Sequence, residues 1–125
     1  MFDHISIGVR HLPTARRLYD AALPALGYPM RQGDESEFSY GGADCVFIIT
    51  ATDHPVPAHA GSGMHFCFKA PTRAAVDAFH AAALANGGRD NGGPGLRPNY
   101  GDNYYAAFAI DPDGYRMEAY CSRPE

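Results

Sequence analysis

Apolar and polar positions along this chain change rhythm twice, in the same order each time. Residues His4-Ile5-Ser6-Ile7-Gly8-Val9 alternate with the period of a half-buried strand. Helical spacing follows, with Ala15, Leu18, Tyr19, Ala22 and Leu26 on one face, Pro13-Thr14 at the start and Gly27 at the close. Pro24 is expected to end or kink that helix in its last turn. Short strand-like segments come next, at 28–32, 37–40 and 44–52. The series then restarts. His65-Phe66-Cys67-Phe68 repeats His4-Ile5-Ser6-Ile7, Pro71-Thr72 repeats Pro13-Thr14, and Val76, Phe79 and Ala83 mark a second amphipathic helix closing at Gly87. Strands are expected again at 89–91, 104–110 and 115–121, the last two joined by the strong turn signal Asp111-Pro112-Asp113-Gly114.

The pattern predicts an α+β fold of two βαβββ modules. Module 1 covers about 1–52, a Pro-, Ala- and Gly-rich linker covers 53–63, and module 2 covers about 64–122. Neither half is long enough to bury a sufficient core alone, so the two are expected to pack as one domain over 1–125.

Composition narrows the function. Ten basic residues against fourteen acidic ones give a net charge of −4, so no basic face is on offer to nucleic acid. No apolar run, 45–49 among them, is long enough to span a bilayer. The opening Met-Phe-Asp-His has neither a basic nor an apolar leader region, and Cys45, Cys67 and Cys121 lack disulfide or metal spacing. A cytoplasmic protein with three small, buried apolar cysteines is expected.

Strand parity places the candidate chemistry. Ile5, Ile7 and Val9 share the face that packs under a helix, and His4, Ser6 and Gly8 share the other. Met64, Phe66 and Phe68 face the second helix, while His65, Cys67 and Lys69 face away. In the last strand Arg116, Glu118 and Tyr120 lie off the core face. If the half-sheets curl together, His4, His65 and Glu118 line one cleft: two imidazoles and a carboxylate, the donors of a divalent-metal site with open positions. Single strand histidines are commonly packing or surface residues, so spacing alone leaves both readings open.

These residues resemble the vicinal oxygen chelate superfamily, the glyoxalase, bleomycin-resistance and extradiol-dioxygenase proteins. The resemblance spans nearly the whole chain, through Asp3-His4-Ile5-Ser6-Ile7, Leu18-Tyr19, Leu26-Gly27, Met64-His65-Phe66, and the run from Tyr105 through Asp111-Pro112-Asp113-Gly114 to Met117-Glu118-Ala119. It implies paired βαβββ modules forming a curved mixed sheet around a cleft, a homodimer, and metal ligands from the first, fifth and eighth strands, here His4, His65 and Glu118. In the proteins that this chain resembles, the modules pair within one chain or exchange between two. Zn, Mn, Fe, Ni and Co all suit that donor set. Glyoxalase I adds an acidic ligand from the fourth strand. Here 46–50 is Val-Phe-Ile-Ile-Thr, with Ile48 near that position, which argues against true glyoxalase I.

The implied function is a metal-dependent enzyme, lyase, isomerase, transferase or dioxygenase, acting on a small oxygen-chelating substrate. The alternative is a metal-free sequestering protein of the bleomycin-resistance type. Glu118, Tyr104 and Tyr105 are the catalytic candidates, and Arg97 and Tyr100 the substrate-binding ones, Arg97 lying in the long Gly-rich loop 92–103. Plain aromatic packing and a solvated arginine are the competing readings. His11, His54, His59 and His80 are expected to be solvated.

Overall fold

Each helix of the repeat is capped at both ends by its own sequence. The computed structural model describes residues 1–125. Helix α1 (Leu12–Ala25) starts where the His11 ring accepts from Thr14 N–H, and α2 (Arg73–Ala85) where Thr72 Oγ1 accepts from Ala75 N–H. Past their ends, Gly27 at φ +88° and Gly87 at φ +97° take the left-handed conformation that closes a helix. Pro24 lies inside α1, one residue from its end, so the helix stops within a residue of it.

The strands form two mixed sheets. In the first the order is β1 (His4–Val9), β4 (Val46–Ala51), β3 (Glu37–Gly41), β2 (Met30–Gly33), with β1 and β4 parallel. In the second it is β5 (Phe66–Lys69), β9 (Arg116–Cys121), β8 (Tyr105–Ile110), β6 (Arg89–Asp90), and β5 and β9 are parallel. A further short strand, β7 (Gly95–Leu96), pairs with β8, so the strand expected as the eighth is the ninth. The fifth strand starts later than expected. A short 3-10 turn at Ala60–Ser62 and left-handed Gly63 precede it, leaving Met64 exposed rather than under α2.

The helices pack on one face of each sheet and against each other. One core cluster runs through both modules, from Ile7, Leu18 and Phe38 to Phe79, Met117 and Ala119. Phe47 bridges the halves, its ring centroid 5.6 Å from Phe66 and 5.3 Å from Phe68. Polar clamps converge on the Asp111–Gly114 turn. Tyr19 O–H donates to Asp111 Oδ2 (2.7 Å), Arg10 N–H to Asp113 Oδ1 (3.0 Å), and Tyr115 O–H to Gly8 C=O (2.7 Å). Gly114, at φ +90°, lies under the linker, where a Cβ would come within 2.3 Å of Ala58 Cβ. That turn therefore locks module 1, module 2 and linker together.

With the helices on one side, the opposite faces of both sheets are left without a helix. His4, Tyr104 and Glu118 lie there.

Candidate functional site

Register places each side chain. Cys67 lies opposite Glu118, and Glu118 opposite Phe108, so these share the face away from α2. Glu118 is only 3% exposed, although no helix covers it. Its neighbours do. His65 Nε2 lies 3.0 Å from Glu118 Oε2, and Tyr104 O–H donates to Oε1 over 2.6 Å. A buried carboxylate is costly unless each oxygen has a partner, and here each has one. Desolvation and then the bond to Glu118 hold the Tyr104 phenol well above its ordinary pKa, so Tyr104 is a hydrogen-bond donor at neutral pH.

His4 is not part of this group. It opens β1, its side chain is 54% exposed, and its Nδ1 lies 2.6 Å from Asp3 Oδ1. No three His, Cys, Asp or Glu side chains of one chain converge as metal donors. The expected triad is thus split within the chain: His65 and Glu118 together, His4 apart.

The expected tyrosines divide by parity. Tyr104 turns toward Glu118. Tyr105, next in the strand, points to the helix side and donates to Asp77 Oδ1 (2.7 Å), under the Arg73 guanidinium 5.1 Å away. Tyr105 therefore does not reach Glu118. Arg97 stacks over Phe108 at 5.4 Å and donates to Gly93 C=O at 2.7 Å, bracing its own loop. Tyr100 is 68% exposed and meets the Tyr104 ring at 5.2 Å.

Cys67 departs from expectation. Only Cys121 is buried; Cys45 is half-buried and Cys67 is exposed on the Glu118 face. Crowding around the sulfur, then the Glu118 charge, push the Cys67 thiol up to about 12, so it stays protonated and is no nucleophile at neutral pH. His80 also differs: it is 12% exposed and 2.9 Å from Asp90 Oδ1. His11, His54 and His59 are exposed as expected, His11 and His59 also capping helical turns. Alternation already put Cys67 on the outward face with His65 and Lys69, and that signal outweighs the usual burial of a free cysteine.

Two clefts lie along the linker instead. One, of about 280 Å³, runs between Arg10, Pro55 and Asp113; the other, about 60 Å³, lies beneath Val56, Met64 and Tyr115. Neither reaches Glu118.

The chain belongs to the Glyoxalase/Bleomycin resistance protein/Dioxygenase superfamily, whose sequence profile matches residues 1–119. It is similar to a glyoxalase/bleomycin resistance protein from Albidiferax ferrireducens T118, at 36% identity and TM-score 0.83, over 96% of this chain and 98% of that one. A glyoxalase-related enzyme from Fulvimarina pelagi shares the fold at 18% identity and TM-score 0.73, over 94% and 85% of the two chains. So does a fosfomycin resistance protein from Mesorhizobium loti, at 16% identity and TM-score 0.68, over 98% and 92%. Comparison with curated proteins finds no match. No helix is long and apolar enough to cross a membrane.

Proposed function

We propose that the protein is a divalent-metal-dependent enzyme acting on a small molecule with two neighbouring oxygens, its metal held by His65 and Glu118 of one chain and His4 of a second copy. The observation that carries this is the buried Glu118 carboxylate between His65 Nε2 at 3.0 Å and Tyr104 O–H at 2.6 Å. The donor chemistry fits. An ion with bonds of about 2.1 Å sets adjacent donors ~3 Å apart in octahedral geometry, which is the His65–Glu118 spacing. Tyr104 occupies the other oxygen and so orients the carboxylate, as outer partners of metal ligands do.

His4 suits the same role from outside the chain. Its contact with Asp3 engages Nδ1 and leaves Nε2 free. Both histidines lie at the start of strands with one unpaired edge, β1 and β5, and exposed Phe2 and Met64 flank them. A second copy meeting those edges would complete the donor set in exchanged fashion. When bound, the metal supplies Lewis-acid polarisation of substrate oxygens. The chain's own part is to orient Glu118 through Tyr104 and to leave the far side of the face open to substrate.

The metal-free alternative rests on the same split, since a single chain gathers only two of the donors. Metal analysis of purified protein separates the readings. About one divalent ion per site is expected, and an apo protein that binds small molecules unchanged by a chelator would overturn the proposal. Mixing His4→Ala with Glu118→Ala protein tests the exchange, because heterodimers then regain intact sites. A strictly monomeric protein at micromolar concentration would rule it out.

A further inference from the structure

The metal reading says where a ligand's oxygens would bind, but not what else the ligand carries. A row of rings beside Glu118 bears on this. Tyr104 stacks on Tyr120 with centroids 4.1 Å apart and 29° between planes, and Tyr100 meets Tyr104 edge-on at 5.2 Å and 65°. The middle ring is fixed to Glu118 through the Tyr104 hydroxyl, and one end, Tyr100, stands in solvent.

The loop that presents Tyr100 is braced at its base. Arg97 N–H donates to Tyr104 C=O (2.7 Å) and Tyr100 N–H to Arg97 C=O (2.9 Å), closing the tip. Below it, the Arg97 guanidinium lies over Phe108 and donates to Gly93 C=O, bracing the loop against β8. The wall next to Glu118 presents the Tyr104, Tyr120 and Phe108 rings, with the Arg97 guanidinium over Phe108. An exposed aromatic is unremarkable alone. One held on a braced tip, in ring contact with the residue that orients Glu118, is placed to meet whatever binds there.

We infer that Tyr100 determines specificity at this site, selecting ligands whose oxygen-bearing carbons carry an aryl group that stacks on its exposed ring. This rests on the function proposed above and names its substrate class. Ring pairs favour offset or edge-on contact at centroid distances of about 4.5–7 Å, with energies that correspond to a preference of up to about tenfold.

Mandelate and lactate are suitable probes. Both offer the same hydroxyl–carboxylate pair, one beside a phenyl group and the other beside a methyl group. Metal content is measured first, and manganese-loaded protein is then titrated with each acid by calorimetry. Mandelate is expected to bind about tenfold more tightly. Tyr100→Ala should bring the two affinities together at unchanged metal content, and Tyr100→Phe should keep the preference. Equal affinities in the wild type, a preference that survives Tyr100→Ala, or failure to bind either acid would overturn the inference. Wild-type protein that holds no metal yet prefers mandelate, with the preference lost in Tyr100→Ala, would overturn the proposed metal function and support the role of Tyr100.

Discussion

The two modules share an architecture and differ in chemistry. In both, the opening strand pairs in parallel with the closing one. Counterparts can be matched through the registers: Ser6 lies opposite Ile48 in module 1, and its equivalent Cys67 lies opposite Glu118 in module 2. Ile48 is thus the counterpart of Glu118. Module 2 has a histidine, a carboxylate and an orienting phenol within hydrogen-bonding distance, whereas module 1 has a histidine whose only polar partner is the adjacent Asp3. The scaffold recurs, and at one matched register position module 1 has an isoleucine where module 2 has a buried glutamate.

The largest expected effect breaks module 2. Glu118→Ala or His65→Ala should abolish stoichiometric metal while circular dichroism shows an intact fold, because the core cluster includes neither residue. Full metal occupancy in the double variant would disprove the assignment. Ile48→Glu sharpens the comparison from the other side. It adds a carboxylate on the face of His4, and should slow metal loss to a chelator; an unchanged rate would mean that the position does not face the site.

The same isoleucine bears on turnover. With an apolar β4, Glu118 would have to serve as both ligand and base in glyoxalase I chemistry. Metal-loaded protein is therefore expected to process the glutathione–methylglyoxal adduct with kcat/KM below about 10⁴ M⁻¹s⁻¹. A higher value would overturn this account of β4.

Alternation made the modules legible, because a period of two assigns faces without knowledge of partners. It placed Ile7 and Met117 inward and Glu118 outward, as found. It separates Tyr104 from Tyr105 as well, yet composition invites grouping them as one aromatic cluster. What alternation cannot give is the relation between sheets. Parity puts His4 and His65 on helix-free faces, but how far apart those faces lie depends on the packing of α1 on α2 and on the turn clamps. Those contacts join residues far apart in the chain, such as Tyr19 and Asp111.

That clamp joins the modules and responds to pH. Asp111 is 1% exposed, and desolvation, partly offset by the Tyr19 hydrogen bond, raises its pKa to about 6. An unfolded aspartate titrates near 3.9, so the folded state binds more protons between about pH 4 and 6. The stabilising contribution is complete below about pH 4 and is lost as pH rises through about 6, amounting to on the order of 3 kcal/mol. Asp111→Asn should flatten this part of the stability–pH profile measured by urea unfolding. A profile that keeps its slope would show that Asp111 titrates normally.

The smallest expected effect compares two adjacent hydroxyls. Tyr104→Phe removes one donor from Glu118 Oε1 and leaves the ring stacked on Tyr120, so packing is preserved while the carboxylate loses an orienting partner. Loss of such a partner weakens metal binding by about tenfold or somewhat more. Tyr105→Phe removes a hydroxyl of equal size one residue along, but that hydroxyl serves Asp77 on α2 and faces away from Glu118. Its removal should leave metal affinity unchanged and cost at most about 1 kcal/mol of stability, as expected for an exposed hydrogen bond. Competition with a chromogenic chelator measures both variants under one condition. Equal weakening by the two would mean that the effect is a general loosening of β8. No weakening by Tyr104→Phe would mean that Glu118 is oriented by its strand and by His65 alone.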